Sequence, residues 1–190
     1  MTPQILRAED RAPAPWSNGG GVTSEVAVHP TGASTDDFVW RVSVADVARG
    51  GPFSAFPGVD RIITVADGPG VALTVDGASH VMDASYEPFA LSGDAVTECR
   101  LLGGPVVAFN VMARRAEMAA RVRVVRSDTA VRPVAGTHVL AIVLDGAAVL
   151  RGASVRLGCL DAVLLSDGDC VSFGVEGVLA IVDFVARPGG

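Results

Sequence analysis

No lysine occurs in this chain of 190 residues: all 15 of its basic side chains are arginine. Catalysis through a lysine Schiff base or a phosphate-loop lysine is excluded with it. Aromatic residues are scarce at 5%, and charged residues reach only 19%. Low charge beside 49% hydrophobic types and a mean hydropathy of +0.42 excludes a largely disordered chain. Positive charge is in deficit, with a net charge of -6 and a pI near 4.9. Neither nucleic acid nor an anionic membrane is therefore an expected partner, since each would need a basic face.

Metal-binding and nucleophilic patterns are missing too. Cys99, Cys159 and Cys170 are odd in number, lack C-x-x-C spacing and sit in or beside apolar runs, which predicts buried free thiols. His29, His80 and His138 are scattered without H-x-H or H-x-x-x-E spacing, so no metal and no cofactor are expected. There is no G-x-S-x-G elbow to support hydrolase chemistry. Met1 to Asp10 has no apolar stretch of signal-peptide length, and no run approaches the ~18–20 apolar residues of a spanning helix. The expected location is cytoplasmic.

Turn formers, by contrast, are abundant, with 22 Gly and 11 Pro. They punctuate short apolar runs such as Arg61 to Ala66, Val71 to Val75, Val106 to Met112, Val139 to Leu144 and Leu179 to Val185. Val39 to Val44 alternates in the period of a half-buried strand. The architecture reads as all-β, in a sandwich or barrel, with at most one or two short helices. Only Ala113 to Val122 has a helical aspect, with Glu117 and Arg121 spaced for an i,i+4 pair.

An internal repeat flanks that segment. Gly58 to Gly68 aligns with Gly136 to Gly146 at an offset of 78, Gly93-Asp94 with Gly168-Asp169 at 75, and Val106 to Val111 with Leu179 to Phe184 at 73. Two related jelly-roll-like β modules, 1–112 and 113–190, are expected, with the ligand pocket in the first. The second has Val139 at the position of Arg61, which favours a structural or dimerising role for it and makes a homodimer the oligomer to consider.

Three clusters carry the chemistry. In Trp16-Ser17-Asn18-Gly19-Gly20-Gly21-Val22-Thr23-Ser24-Glu25, consecutive glycines allow close backbone approach to a ligand, and Thr23 and Glu25 project on one face; a plain flexible turn is the alternative. Phe53-Ser54-Ala55-Phe56-Pro57-Gly58-Val59-Asp60-Arg61 places an apolar collar about one arginine, which suits carboxylate recognition; a solvated Asp60–Arg61 pair is the alternative. In Phe109-Asn110-Val111-Met112-Ala113-Arg114-Arg115, alternation sets Asn110 and Met112 on one face, while Arg114 and Arg115 read as solvated helix-start charges or ligand contacts.

Together with Trp40-Arg41-Val42-Ser43, Gly93-Asp94 and Gly104-Pro105, these motifs resemble the HutD/Ves family over residues ~4–187. The resemblance implies a bicupin and a cytoplasmic accessory protein of histidine utilisation. Such a protein would bind a small anionic metabolite of the urocanate, formiminoglutamate or formylglutamate type and limit the flux or expression of the pathway. Ser17, Ser24 and Ala108 stand where the family usually has a basic residue, an Arg and an acidic residue, which bears on ligand preference.

The leading expectation is a metal-independent binder. Arg41 and Arg61 would hold carboxylates, Asn18, Thr23 and Asn110 would line the pocket with polar groups, Glu25 would pair with a ligand amine or orient an Arg, and Phe56 and Met112 would supply apolar wall. The alternative is a cofactor-independent acid/base enzyme with Glu25 as its base. A pure interaction scaffold would instead leave Asn18, Arg61 and Asn110 apart.

Overall fold

The computed structural model describes residues 3–83 and 86–187. The described residues form strands and turns with no helix. The strands are β1 (Gln4–Leu6), β2 (Pro13–Pro15), β3 (Gly21–His29), β4 (Trp40–Val47), β5 (Gly51–Pro52), β6 (Val59–Asp67), β7 (Val71–Val75), β8 (Ala78–Met82) and β9 (Phe89–Ser92). They continue as β10 (Thr97–Leu101), β11 (Val106–Arg114), β12 (Met118–Val125), β13 (Thr129–Val131), β14 (His138–Arg151), β15 (Val155–Leu157), β16 (Ala162–Leu165) and β17 (Val171–Ala186). No helix among them is long and apolar enough to cross a membrane.

The chain divides into two compact units, Ala12–Ala119 and the stretch Met1–Arg11 with Ala120–Gly190. The division is not linear in sequence, because β1 pairs antiparallel with β16. In the first unit a six-stranded antiparallel sheet, β2-β3-β4-β11-β6-β9, packs on a four-stranded one, β5-β10-β7-β8. Val47, Val65 and Val106 from the larger sheet meet Leu73, Met82 and Cys99 from the smaller in one core. Strand β4 is not half-buried as its alternation suggests, since Val42, Ser43, Val44 and Ala45 are all buried. A small serine is readily enclosed in a central strand where a longer polar side chain is not.

In the second unit β14 and β17 run through a sheet ordered β1-β16-β14-β17-β12, with β13 and β15 added. Val139, Leu165, Phe173 and Ile181 form its core. Burial of each large apolar side chain there contributes ~1.5–3 kcal/mol.

Ala113 to Val122 is not helical but strand, turn and strand: β11 ends at Arg114, the Glu117 N–H donates to the Arg114 carbonyl at 3.0 Å, and β12 begins at Met118 in the sheet of the second unit, beside β17. An i,i+4 pair contributes only about 0.2–0.5 kcal/mol, less than burying Ala113 and Met118 within strands. Arg121-Val122-Arg123-Val124 alternates exposed with partly buried, which is the period of a strand. Of the three cysteines only Cys99 is buried; Cys159 and Cys170 are exposed, because they fall in the connections flanking β16 rather than on strands.

The repeat is visible in the pairing. β6 pairs with β9 and β11, as β14 pairs with β16 and β17. Both long pairs carry a bulge at the same place: Ala66 is the extra residue between Asp67↔Val107 and Val65↔Ala108, and Leu144 between Asp145↔Val178 and Val143↔Leu179. The bulges keep the offset of 78 on one strand but set Val107 against Val178, an offset of 71 rather than 73 for the closing strands. Side-chain alternation in apolar runs cannot fix such a register, since Val, Leu and Ile fit either facing position.

Candidate functional site

One face of three neighbouring strands changes character along its length. Toward one end Val47, Val65 and Val106 enter the core; toward the other, Ser43, Asn110 and Arg61 face a cavity of about 210 Å³. The register explains the grouping. Asn110 sits opposite Ser43 on one side and Ile63 on the other, and Met112 opposite Arg41 and Arg61. Ala45 and Ala108, directly opposed, leave room above the sheet that larger side chains would fill.

Seven of the eight residues singled out from the sequence line this cavity: Asn18, Thr23, Arg41, Phe56, Arg61, Asn110 and Met112. Glu25 does not line it. Its carboxylate stands at the rim, 41% exposed, where Oε2 accepts from Nε of Arg41 at 2.8 Å.

Arg61 is the distinctive group. Its guanidinium lies 5.0 Å from the centre of the Phe53 ring and 5.5 Å from that of Phe56. It has one long bond, from Nη2 to Oδ1 of Asn110 at 3.4 Å, and its enclosed Nε has no hydrogen-bond partner among the described residues. Nor does any described carboxylate pair with it: Asp60, its sequence neighbour, instead takes Arg115 at 2.7 Å. Burial pushes the Arg61 guanidinium down to about 10, so it remains a cation at neutral pH. Desolvated charge flanked by aromatic faces and lacking a counter-ion is arranged to receive an anion.

Two loops close over it. The triple-glycine segment is a hairpin turn between β2 and β3, with the Gly20 N–H donating to Oδ1 of Asn18 at 2.8 Å and Nη2 of Arg49 to the Gly19 carbonyl at 2.8 Å. This leaves the Asn18 amide N–H groups as donors at the cavity lip. Trp16 Nε1 donates to Oγ1 of Thr23 at 2.7 Å, fixing the second wall. Gly21 admits no side chain, because a Cβ there would lie 2.5 Å from the Asp46 carbonyl.

The other loop, bearing Phe53 and Phe56, is pinned from below. The Phe56 N–H donates to the Gly93 carbonyl at 2.8 Å and the Gly93 N–H to that of Val59 at 2.7 Å. Asp94 accepts from the Gly58 N–H at 3.0 Å, from Ser92 Oγ at 2.9 Å and from Arg115 at 2.9 Å. These bonds, that from Gly58 first, hold its carboxyl down to about 2 against an ordinary 3.8. A depressed carboxyl stabilises the fold above pH 3.8, and that contribution is lost as the pH falls through about 2. In urea unfolding, the advantage of the wild type over Asp94→Asn is expected to be present at pH 5 and to fall away as the pH drops through about 2. Arg115 is thus a loop anchor, and Arg114 stacks on Phe38 at 5.4 Å while donating to its carbonyl; neither lines the cavity.

Sequence reasoning passed over Trp16, Ser43 and Phe53 as individual site residues. Ser43 could have been found by its alternation with Arg41, which shares its face of β4, and Phe53 lies closer to Arg61 than Phe56 does. Arg49 carried no signal, since its partners are backbone carbonyls in a distant turn.

The chain is similar to known proteins over nearly its whole length. Residues 8–182 match the HutD family. The chain belongs to that family. An uncharacterised 21.2 kDa protein in the hutC 3′ region of Pseudomonas putida is 35% identical over 187 residues, covering 97% of this chain and 98% of that protein. HutD from Pseudomonas fluorescens SBW25 superposes with a TM-score of 0.86 at 32% identity, covering 98% of this chain and 100% of that one. Protein Ves of Citrobacter koseri is 40% identical over 111 residues, 57% of this chain and 56% of its own length. The bacterial pirin YhhW from Escherichia coli, solved with nickel(II), shares only the cupin-like fold, at a TM-score of 0.66 and 11% identity.

The cavity of this HutD protein does not fit a resident divalent metal. Its lining has no His, Cys or carboxylate, and among the described residues no three such side chains converge. In the second unit the positions equivalent to Arg61, Ile63, Ala108 and Asn110 are Val139, Ala141, Leu179 and Ile181, all within the apolar core. The corresponding face there is apolar and buried.

Proposed function

We propose that this HutD protein binds a small carboxylate-bearing metabolite, of the urocanate, formiminoglutamate or formylglutamate type, and acts as a metal-independent sensor limiting histidine utilisation. The observation that carries the reading is the Arg61 cation, held between Phe53 and Phe56 with no described counter-ion. A carboxylate on Arg61 would restore its charge balance, with charge-assisted hydrogen bonds of about 1.5–3 kcal/mol. The cavity volume, about 210 Å³, lies below the ~300–1,000 Å³ of drug-sized sites and suits a compact metabolite. The location of the Pseudomonas putida relative in the hutC 3′ region supports the pathway.

A ligand that prefers the native state adds RT ln(1 + [L]/Kd) to stability, so saturable thermal stabilisation by millimolar urocanate, formiminoglutamate or formylglutamate is expected. No shift with any of them overturns the reading. Mass detection of products in the same mixtures separates binder from enzyme: turnover lost in Glu25→Gln sides with acid/base catalysis, and binding without product sides with a sensor.

A further inference from the structure

The cavity holds two cations but only one is uncompensated. Arg61 has no carboxylate partner among the described residues, whereas Arg41 already carries Glu25 on its Nε at 2.8 Å. No other charged side chain lines the cavity. Arg41 and Arg61 stand on either side of Met112 in adjacent strands, which separates their backbones by roughly 10 Å, or two strand spacings.

We infer that Glu25 is a specificity residue, which makes the pocket select a carboxylate of single negative charge with a neutral polar far end. The inference rests on the carboxylate reading above and narrows it to the urocanate type, since formylglutamate and formiminoglutamate each carry a second carboxylate. One carboxylate on Arg61 balances the site. A second, reaching toward Arg41, meets a guanidinium whose charge is spent and must either displace Glu25 or lie beside it as a like charge. An amide at that end meets neither penalty. It can accept from the terminal nitrogens of Arg41 and donate to the Glu25 carboxylate, so the ion pair presents a donor and an acceptor together. Glu25 thereby acts without entering the lining: it sets the charge that the far end of the cavity tolerates.

The test uses dicarboxylates and their monoamides, which differ by one charge at nearly constant shape: fumarate with fumaramate, and succinate with succinamate. Kd values are measured by calorimetry for the wild type, Glu25→Gln and Arg61→Gln. The wild type is expected to prefer each monoamide at least tenfold. Glu25→Gln, which frees the Arg41 charge, is expected to bind the dicarboxylates as tightly as the monoamides or more tightly; retained monoamide binding shows that this variant is folded. Equal affinity of the wild type for both members of a pair, or a preference unchanged in Glu25→Gln, overturns the inference while leaving the anion site standing, provided that Arg61→Gln abolishes binding. If no member of either pair binds the wild type, or if Arg61→Gln binds as well as the wild type, the carboxylate reading itself fails and this inference falls with it.

Discussion

Arg61→Met is expected to lower carboxylate affinity at least a hundredfold while raising the thermal midpoint of the free protein by about 3 °C. The two effects have one cause. Enclosure between Phe53 and Phe56 holds the guanidinium down to about 10 from 12.5, a bias of about 3 kcal/mol against its charged form. Attraction to the two rings offsets ~0.5–2 kcal/mol of that. Methionine matches the length and keeps the apolar contacts without the desolvated charge, and replacing buried charge with packed apolar groups is commonly neutral or stabilising. A net gain of about 1 kcal/mol moves the midpoint of a protein this size by roughly 2–4 °C. The bound carboxylate, however, loses a cation and two charge-assisted hydrogen bonds of about 1.5–3 kcal/mol each, which is the hundredfold or more. Calorimetry and thermal denaturation with and without ligand measure both. Affinity within threefold of the wild type would show that the anion is held elsewhere. Arg61→Lys is expected to bind poorly as well, because an ammonium lacks the planar fork that stacks between rings.

Gly93→Ala is expected to lower the thermal midpoint by about 3–10 °C and weaken binding about tenfold. A Cβ at Gly93 would lie 2.5 Å from the Phe56 carbonyl oxygen and 2.8 Å from that of Val59, both backbone atoms with nowhere to yield. The same two residues hydrogen-bond Gly93, so the loop must either lift or break those bonds. Overpacking of this kind costs ~1–3 kcal/mol, and lifting the loop carries Phe56 away from Arg61. Gly168→Ala is the matched control. Gly168 occupies the equivalent turn of the second unit, at a φ of +85° but with open space around its Cβ position. That variant should lose about 1 kcal/mol to backbone strain and leave ligand affinity unchanged. Unaltered binding in Gly93→Ala despite a lowered midpoint would detach Phe56 from the site.

Several site residues were legible because period-two alternation and local crowding are properties of neighbours in sequence. Asn110 and Met112 share a face by alternation alone, and the run from Phe53 to Arg61 gathers its aromatics around the arginine within nine positions. Glu25 shows where this stops. Its alternation with Thr23 places it on the cavity side, but whether the carboxylate enters depends on Arg41, sixteen residues away on the next strand. Asp60 shows the same for charge: adjacency to Arg61 suggested a pair, and the partner is Arg115, brought in by the β6–β11 ladder. The helical aspect of Ala113 to Val122 was lost to strand pairing at both ends, β11 with β6 and β12 with β17, because pairing and burial outweigh one i,i+4 contact.

The absence of lysine now has a location. Composition required that any permanent cation in a pocket of this protein be arginine; local period gave the all-β class, and the spacing of the repeat pointed to two related modules. Only the tertiary structure decided that Arg61 stands enclosed in the cavity with no carboxylate partner among the described residues, while Arg41 and Arg115 are neutralised across strands. It also decided that one module lines a cavity with polar side chains where the other has buried apolar ones. The reason is physical: a charge is compensated by whatever lies within a few ångströms, and in a sheet those neighbours come from register and bulges rather than from adjacency along the chain.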